Sequence, residues 1–462
     1  MAHVLPLLKM NSHPGLTHRR IGFVSTRFAG TDGVSLETEK WAAVLERLGH
    51  ACFYFSGQSD RPAERSRVVP EAFFGHPAIA AIGNAAFDSA WGADELLEYA
   101  NPEIYPIHTP AFHHRIRPPS VTRRIHELAD YLKKQLYAFA RELAPELLIV
   151  ENALTIPMNI PLGVALTEFI AETGFPAIAH HHDFYWERQR FLVNCVGDYL
   201  HMAFPPNLPS VHHVVLNSLA AQQLSLRTGL SSMIIPNVMD FEHPPAPPDD
   251  YTTDVRAALG VAPDELLFLQ PTRVVQRKGI EHAIELIRRL GLKARLVVSH
   301  ASGDEGNDYE KRVREFATLL GVTSNFVADI IQDKRGLTPE GRKVYTLADV
   351  YTQTDLVTYP STIEGFGNAF LETIYYRRPI VVNNYSIFDV DIKPKGFRVI
   401  EFDGYITDST VQQTQRVLSD PELAREMADE NYRLAKRYYS YAVLERRLQT
   451  LFAECFGEDD EH

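Results

Sequence analysis

STIEGFGNAFLE, residues 361–372, combines a Gly-x-Gly turn with two glutamates placed eight positions apart. It follows DLVTYP, residues 355–360, which reads as a strand or turn, and it runs into the apolar helical pattern NAFLETIYY. Glycines let a backbone approach a ligand closely, and the first N–H groups of a helix have no partner within the helix. The stretch therefore predicts a strand–turn–helix unit whose turn suits an anion such as phosphate.

The two glutamates, Glu364 and Glu372, would repel that anion, so we expect them to accept hydrogen bonds from hydroxyls of the same ligand. A second basic turn in the same half of the chain carries Arg273 and Lys278 just before Gly279 and a predicted helix. Arginine can bind a diphosphate with two hydrogen bonds and lysine adds a point charge. A merely basic surface turn is the alternative, but the two turns together favour a phosphate ligand rich in hydroxyls, which describes a nucleotide sugar.

The rest of the chain alternates strand and helix patterns. RIGFVSTRF, residues 20–28, reads as a strand and is followed by a glycine-containing turn, a helix over 36–48 and a second strand. This β–turn–α–β unit predicts a parallel sheet. The same alternation restarts after residues 241–254, a segment rich in proline and acidic residues that reads as a linker.

The length of 462 residues exceeds the size at which one apolar core usually keeps growing, so two domains are expected. The predicted division has four parts: an acceptor-side α/β domain over 1–240, a linker over 241–254, a nucleotide-sugar-binding α/β domain over 255–435, and a terminal helix over 436–462.

Composition excludes several classes of protein. The net charge of −13 argues against nucleic-acid binding, and the sequence has no apolar run of about 18 residues that would predict insertion into a membrane. The first 20 residues lack signal-peptide features and read as a flexible leader, and three separated cysteines favour a reducing cytoplasm. A basic segment, residues 113–124, reads as a solvated loop or as a patch for a phosphorylated or carboxylated substrate. Homo-oligomerisation stays open.

Polar side chains follow two predicted strands in the first half. Glu151 and Asn152 end the strand over residues 146–152, and three histidines with an aspartate, residues 180–183, end the next strand. Ligands of open α/β sheets bind at this edge. Metal binding, a structural cluster and a ligand-facing polar site are the alternatives. Because neighbouring residues of a strand face opposite ways, at most two of the three histidines converge, and we predict no metal site.

Several motifs together resemble the retaining glycosyltransferases of family 4. EGFGNAFLE resembles their E-x7-E motif, and TRVVQRKGI, residues 272–280, resembles their R-x4-K segment. Residues 30–50 are similar to their N-terminal glycine-rich loop and helix, residues 175–183 to their strand ending in His-Asp, and residues 234–240 to their IPNGVD segment. The resemblance covers nearly the whole chain, and the two motifs of the second half are the specific ones.

The resemblance implies a GT-B fold, in which two Rossmann-like α/β/α lobes enclose the active site in a cleft and a C-terminal helix crosses back to the first lobe. It implies a hexosyltransferase that moves a hexosyl unit from a nucleoside diphosphate sugar, such as a UDP- or GDP-hexose, to a hydroxyl with retention at the anomeric carbon. No metal and no cofactor are implied, since the cationic side chains neutralise the leaving diphosphate.

By resemblance, four residues carry the catalytic roles and six more bind the donor. The catalytic residues are Arg273, Lys278, Glu364 and His182. The donor-binding residues are Gly33, Gly365, Phe366, Gly367, Asn368 and Glu372.

One unusual segment of the sequence leads to the prediction of the acceptor residues. HHHDFYWERQRF, residues 180–191, is unusually long, aromatic and charged, and we expect it to help bind a small, soluble, polar acceptor such as a sugar, a sugar acid or a sugar phosphate. The predicted acceptor residues are Glu151, Asn152, His181, Asp183, Glu187 and Arg188.

Two departures from the family pattern limit what carries over. NYSIFDV, residues 384–390, replaces the family's Gly-Gly-x-Pro-Glu segment, so no base contacts are assigned there. NVMD replaces NGVD and loses a glycine. A nucleotide-sugar epimerase, another GT-B enzyme such as a phosphorylase and a non-enzymatic binding protein are the alternatives. The sequence does not fix the sugar, the nucleotide, the acceptor or the linkage.

Overall fold

The computed structural model describes residues 18–30, 32–87, 117–302 and 307–457. Most of the predicted leader lies outside the described residues, and so do residues 88–116, which include residues 113–116 of the basic segment.

The chain folds into two compact units. Unit 1 takes the described residues of Met1–Gly30, Trp41–Val214 and Glu445–His462, and unit 2 takes those of Thr31–Lys40 and Val215–Leu444. Each unit is built around a β-sheet. Helices alternate with the strands along the chain, as the sequence patterns predict.

The first sheet has seven strands in the order β3-β2-β1-β4-β5-β6-β7, and the pairings from β3 to β5 are parallel. Its strands are β1 (Arg20–Val24), β2 (Ala51–Ser56), β3 (Ser66–Val68), β4 (Leu147–Glu151), β5 (Ala177–His181), β6 (Val211–Val215) and β7 (Met233–Ile234). The helices along this part of the chain are α1 (Gly33–Arg47), α2 (Pro77–Phe87), α3 (Pro119–Glu142), α4 (Ile160–Thr173), α5 (Gln189–Leu192), α6 (Gly197–Ala203) and α7 (Ser218–Thr228).

The second sheet has six strands in the order β10-β9-β8-β13-β14-β15, and every neighbouring pair is parallel. Its strands are β8 (Leu266–Gln270), β9 (Ala294–Val298), β10 (Thr323–Phe326), β13 (Leu356–Tyr359), β14 (Ile380–Asn383) and β15 (Ile400–Phe402), and β11 (Gly336–Leu337) pairs with β12 (Lys343–Val344) in a separate antiparallel hairpin. The helices are α8 (Val255–Ala258), α9 (Ile280–Leu290), α10 (Asp308–Leu320), α11 (Leu347–Gln353), α12 (Asn368–Tyr375), α13 (Asp408–Ser419), α14 (Pro421–Tyr439) and α15 (Tyr441–Phe456).

Burial on both faces explains why the second sheet is parallel. Along β9, Val297 belongs to one apolar core of unit 2, while Leu296 and Val298 belong to another. Successive side chains of a strand point to opposite faces, so helices cover both sides of the sheet. Helix α9 supplies part of this cover, because its buried residues recur at positions 280, 283, 284 and 287, on one face of a helix.

In both sheets, the chain adds strands first on one side of the starting strand and then on the other. The chain moves outward from β1 to β2 and β3, then returns to the other side of β1 with β4; it does the same around β8, returning with β13. Loops diverge from the carboxyl ends of the two strands at such a point and leave a crevice, which is where open α/β sheets bind ligands. The predicted architecture of two parallel α/β lobes is confirmed.

The end of the C-terminal helix packs within unit 1. Glu445 of α15 forms an ion pair with Arg47 at 2.9 Å, and the ring of Phe452 lies 5.1 Å from the ring of His50. The prediction that the terminal helix returns to the first lobe is thereby confirmed. Among the described residues, every helix is too short or too polar to cross a membrane.

Candidate active site

In unit 2, the loops after β8 and β13 are in direct contact. Gly279 ends the turn after β8 with a φ of 57°, and a Cβ placed there would lie 2.6 Å from the backbone oxygen of Pro360. A side chain at position 279 would therefore both strain the backbone and push the two loops apart. This glycine explains why the basic turn and the E-x7-E stretch meet.

Hydrogen bonds join the same two loops. The backbone N–H of Thr362 donates to the carbonyl of Arg277 over 2.8 Å, and the Arg277 guanidinium donates to the carbonyl of Ile363 over 3.2 Å. The Lys278 ammonium forms an ion pair with the Glu364 carboxylate, which also lies 3.5 Å from Arg277. The sequence predicts both Lys278 and Glu364 as site residues, and the structure adds Arg277 beside them.

The Lys278–Glu364 pair is almost fully buried, with side-chain exposures of 10% and 9%. Burial raises the pKa of Glu364, but the charges of Lys278 and Arg277 outweigh it and the net pKa is lowered. Burial lowers the pKa of Lys278, and Glu364 opposes that change. Because the carboxyl is held in its ionised form, the pair is charged, and losing either partner would leave a buried charge without compensation.

Helix α12 begins at a second glycine that the packing requires. Gly367 has a φ of 117°, and a Cβ there would lie 2.6 Å from the hydroxyl of Tyr385. That hydroxyl donates to the carbonyl of Phe366 over 2.9 Å. Asn217 donates to the carbonyl of Gly365 over 2.6 Å, so the Gly-x-Gly turn is held from two sides.

Asn368 and Glu372 lie on the first two turns of α12. The side-chain oxygen of Asn368 accepts a hydrogen bond from Asn237 over 2.7 Å. Glu372 is partly buried and accepts a hydrogen bond from the Tyr351 hydroxyl over 3.1 Å. Burial raises the pKa of Glu372, opposed by the charge of Lys40 and by that hydrogen bond.

Two predicted residues lie apart from this network. Arg273 is exposed in the turn after β8, and its guanidinium has no hydrogen bond or ion pair with any other residue that the structure describes. Gly33 is the first residue of α1 and has open space around its Cα, so neither φ nor packing against described residues requires glycine there. Asp32 caps this helix by accepting hydrogen bonds from Val34 and Ser35.

These features give unit 2 a site suited to an anion. Helices α9 and α12 start after adjacent strands of the sheet, and each begins at a glycine whose position has no side-chain cap. Helix N-termini carry partial positive charge and present N–H groups to anions. With the cationic side chains of Arg273, Arg277 and Lys278, the arrangement can neutralise a phosphate while the two glutamates bind hydroxyls.

In unit 1, the corresponding edge carries Glu151, His180 and His182. Glu151 pairs with His180 across β4 and β5, and His182 follows two positions later on the same face. One carboxylate oxygen of Glu151, Oε2, lies 2.9 Å from His180 Nδ1 and 2.9 Å from His182 Nε2. Burial raises the pKa of Glu151, but its interactions with His180 and His182 outweigh burial and lower the pKa to about 2.

The Glu151 cluster keeps several buried atoms without a hydrogen-bond partner among the described residues: Oε1 of Glu151 and both ring nitrogens of His180. The 2.9 Å approach of His180 Nδ1 to Glu151 therefore lacks the direction of a hydrogen bond. Each such atom costs about 1–3 kcal/mol relative to a satisfied one.

His181 faces the opposite way, as strand alternation predicts. Its Nδ1 contacts the hydroxyl of Thr155, and its Nε2 lies 2.9 Å from Nδ1 of His213. Burial lowers the pKa of His181 well below its usual value and lowers the pKa of His213 to about 4. This pair is thus held neutral, in a different environment from that of His180 and His182.

The remaining acceptor candidates form the turn after β5. Asn152 accepts from the backbone N–H of His182 over 3.1 Å and donates to Asp183 over 3.0 Å. Asp183 also binds Arg188, and Glu187 accepts from the backbone N–H of Phe184 over 2.7 Å. Asn152, Asp183, Glu187 and Arg188 therefore organise the turn among themselves.

The basic segment is partly explained by unit 1 itself. Arg117 donates two hydrogen bonds to Asp198, over 2.6 and 2.7 Å, and Arg124 forms an ion pair with Glu127. These contacts give both arginines a role in the fold.

Sequence reasoning missed His180, Tyr351, Tyr385 and the asparagines at positions 217 and 237. A signal existed for His180, because strand alternation puts it on the face of His182. The tyrosines and asparagines gave none, since only the folded chain brings them to the loop that they hold.

The fold and the site together define a class of protein. Solved structures with the same architecture include sucrose-phosphate synthase from Thermosynechococcus elongatus, with a TM-score of 0.60 and 16% identity over 95% of this chain and 99% of that chain. Anabaena HepE in complex with UDP-glucose gives a TM-score of 0.58 and 14% identity over 95% of this chain and 100% of that chain. The two parallel α/β lobes are those of the GT-B glycosyltransferase structures.

Sequence relatives narrow the class to a family. The chain is 30% identical to mannosylglucosylglycerate synthase of Petrotoga mobilis, over 82% of this chain and 86% of that protein. It is 28% identical to mannosylglucosylglycerate synthase of Thermotoga maritima, over 92% of this chain and 98% of that protein. The chain belongs to the glycosyltransferase family of these synthases. A scan against protein-family models found no match.

Proposed function

We propose that this protein is a retaining hexosyltransferase, with the mechanism of the family 4 enzymes that its motifs resemble. It moves a hexosyl unit from a nucleoside diphosphate sugar to a hydroxyl of a small, polar acceptor. The observation that carries the proposal is the buried Lys278–Glu364 pair, which joins the two turns that lead into helices starting at glycine. A cationic site beside a hydroxyl-binding carboxylate fits a diphosphate that is linked to a sugar.

The acceptor and the hexose follow from the relatives. Their names specify a product that joins mannose, glucose and glycerate. We therefore propose a mannosyl donor and an acceptor of the glucosylglycerate class, which is a sugar acid with one carboxylate. The proposed donor is a UDP- or GDP-linked mannose.

In the transfer, the bond between the anomeric carbon and the diphosphate oxygen breaks, and negative charge grows on the leaving diphosphate. Arg273 and Lys278 neutralise this charge without a metal in that role, and the N-termini of α9 and α12 add their N–H groups. Fixed positive groups stabilise the transition state more than the ground state, because the charge is larger there.

Retention follows if the acceptor hydroxyl attacks the face that the diphosphate leaves. A new bond forms between the acceptor oxygen and the anomeric carbon, and the hydroxyl proton passes to an oxygen of the departing diphosphate. In this scheme Glu372 binds the ribose hydroxyls, Glu364 and the turn over 365–367 hold the hexose, and His182 contacts it. The turn after β5 and Glu151 contribute to the acceptor side.

The deciding experiment incubates the protein with UDP- and GDP-linked glucose and mannose, each with and without glucosylglycerate. The proposal expects release of nucleoside diphosphate only when the acceptor is present, and a product whose anomeric configuration by NMR equals that of the donor. A new donor epimer without acceptor would indicate an epimerase. Binding that raises the melting temperature without any product would indicate a binding protein.

A further inference from the structure

We propose that Glu151, His180 and His182 bind one divalent transition-metal ion of the zinc class. The three side chains come from the carboxyl ends of β4 and β5 and the residue after them. Their candidate ligand atoms, a carboxylate oxygen and two ring nitrogens, all lie within 4.8 Å of one another. All three residues belong to unit 1.

The two oxygen-to-nitrogen spacings are close to those between neighbouring ligands of a tetrahedral ion. Glu151 Oε2 lies 2.9 Å from the coordinating nitrogen of each histidine. Zinc bonds to nitrogen and carboxylate oxygen are about 2.0–2.2 Å long, which puts neighbouring ligand atoms roughly 3.3 Å apart. Binding an ion therefore requires the oxygen to move away from each nitrogen by a few tenths of an ångström, within a set of ligand atoms that lie no more than 4.8 Å apart.

Buried polar atoms without hydrogen-bond partners also indicate a bound cation. His180 is fully buried, and neither of its ring nitrogens has a hydrogen-bond partner among the described residues. Glu151 is fully buried as well, with Oε1 unsatisfied. Buried polar atoms are normally paired, and an ion is one of the partners that explain exceptions. A cation bound by Nδ1 of His180 would also fix the proton of that ring on Nε2.

The donor set selects the class of metal. Two imidazoles and one carboxylate suit Zn²⁺, Co²⁺ and similar ions, whereas Mg²⁺ and Ca²⁺ prefer oxygen ligands alone. Three protein ligands leave a fourth position open.

The surroundings hold the ligands in place. The Trp41 ring stacks on His180 with 4.2 Å between centroids, and the Ser25 hydroxyl donates to the carbonyl of Glu151 over 2.9 Å. Asn152 accepts from the backbone of His182, which fixes the residue after β5. These contacts hold the ring of His180 and the backbone of Glu151 and His182 in place.

One consequence depends on the proposed function. If His182 contacts the donor sugar, an ion on its Nε2 competes with that contact, so Zn²⁺ inhibits transfer and a chelator restores it. Metal binding itself is measured without substrate, and it therefore stands or falls independently of the transferase activity.

The test uses the full chain, stripped with a chelator and titrated with Zn²⁺ against a chromophoric competitor, and separately with Co²⁺. We expect one high-affinity ion per chain, and the strong visible absorption of four-coordinate Co²⁺. The variants Glu151→Gln and His182→Gln should each weaken binding at least about 10-fold. His243→Gln, at an exposed histidine beside Asp240, is the matched control and should bind like wild type.

Two results would overturn the inference. One is the absence of a stoichiometric ion in the wild type. The other is equal binding by the wild type and both ligand variants, which would place the ion on other histidines of the chain. Circular dichroism of each variant in chelator shows whether it is folded. His182→Gln keeps the test decisive if Glu151→Gln does not fold, because the His182 side chain is 11% exposed whereas Glu151 is fully buried.

Discussion

The carboxyl edges of the two sheets have the same topology but different side-chain chemistry. In unit 2, the acid at this edge, Glu364, is neutralised by Lys278 and approached by Arg277. In unit 1, the acid at the edge, Glu151, is approached only by histidines among the described residues, and the cluster keeps buried atoms without partners. A shared fold therefore decides where a site forms, and the local side chains decide which ligand it takes.

The largest effect is expected from breaking the Lys278–Glu364 ion pair at the sheet edge of unit 2. Lys278→Ala should lower turnover about 10²–10³-fold, because a positive group that stabilises the leaving diphosphate is lost. It should also lower the free energy of unfolding by about 3–5 kcal/mol, because Glu364 is left as an uncompensated buried charge. Steady-state kinetics and denaturant unfolding measure the two effects.

The double variant Lys278→Ala/Glu364→Gln, compared with Glu364→Gln alone because Glu364 is itself a predicted site residue, separates these effects. It removes the unpaired charge, so stability should recover while turnover stays low. Recovery of turnover together with stability would mean that Lys278 acts only through the fold, and the assignment of its catalytic role would be wrong.

Arg273→Ala should lower turnover about 10²-fold with little change in melting temperature. Arg273 is exposed and has no ion pair with the described residues, so its loss removes charge from the leaving group and almost nothing from the fold. Arg288→Ala, at an exposed position on α9, is the control and should leave turnover unchanged. Equal effects of the two variants would contradict a specific role for Arg273.

Gly367→Ala tests whether the Gly-x-Gly turn is fixed by packing. A left-handed φ costs a non-glycine residue about 1–2 kcal/mol, and contact with the buried Tyr385 hydroxyl adds about 1 kcal/mol or more. Gly321→Ala is the control, since it has a φ of 67° and no atom within 4 Å of its Cβ. Unfolding measurements should show a clearly larger loss at position 367, and equal losses would argue against the packing constraint.

The smallest effect is expected in the pH dependence of stability that His213 of unit 1 causes. The folded pKa of His213, about 4, is below its unfolded value of 6.5, so the unfolded chain binds more protons below pH 6.5. Its contribution to stability is complete above pH 6.5 and is lost as the pH falls toward 4. The loss at about pH 5.5 should be roughly 1–2 kcal/mol.

His213→Gln should flatten the dependence of the melting temperature on pH between 6.5 and 4. His243→Gln, at an exposed histidine, should keep the wild-type slope. An unchanged slope in His213→Gln would show that other groups, such as His181, carry the acid sensitivity.

Much of the architecture could be predicted from the sequence because periodicity is a local property. The run DELLFLQ and the spacing of apolar residues in α9 identify a buried strand and an amphipathic helix without knowledge of the fold. Lys278 and Glu364 were also predicted as members of one site, since basic turns and glycine turns at helix starts attract the same ligand. Contacts between them could not be predicted, because 86 residues separate them in the chain.

The cluster of unit 1 illustrates the opposite case. Alternation along β5 puts His181 on the opposite face from its two neighbours, and this can be predicted from the local sequence. That Glu151 lies opposite His180, and that both are buried, depends on the register of β4 and β5. The sequence predicts no metal site because at most two of the three histidines converge, whereas the folded chain adds Glu151 as a third candidate ligand.

By itself, the sequence determined the alternation of strands and helices, the two glycine turns and the kinds of charge near them, because backbone preference and apolar spacing act over a few residues. Tertiary structure decided which charges are buried and paired. Strand order brings β8 beside β13 and β4 beside β5, and only that arrangement places Lys278 against Glu364 and Glu151 among the histidines. Burial and partnership, which set charge and reactivity, are properties of the packed molecule.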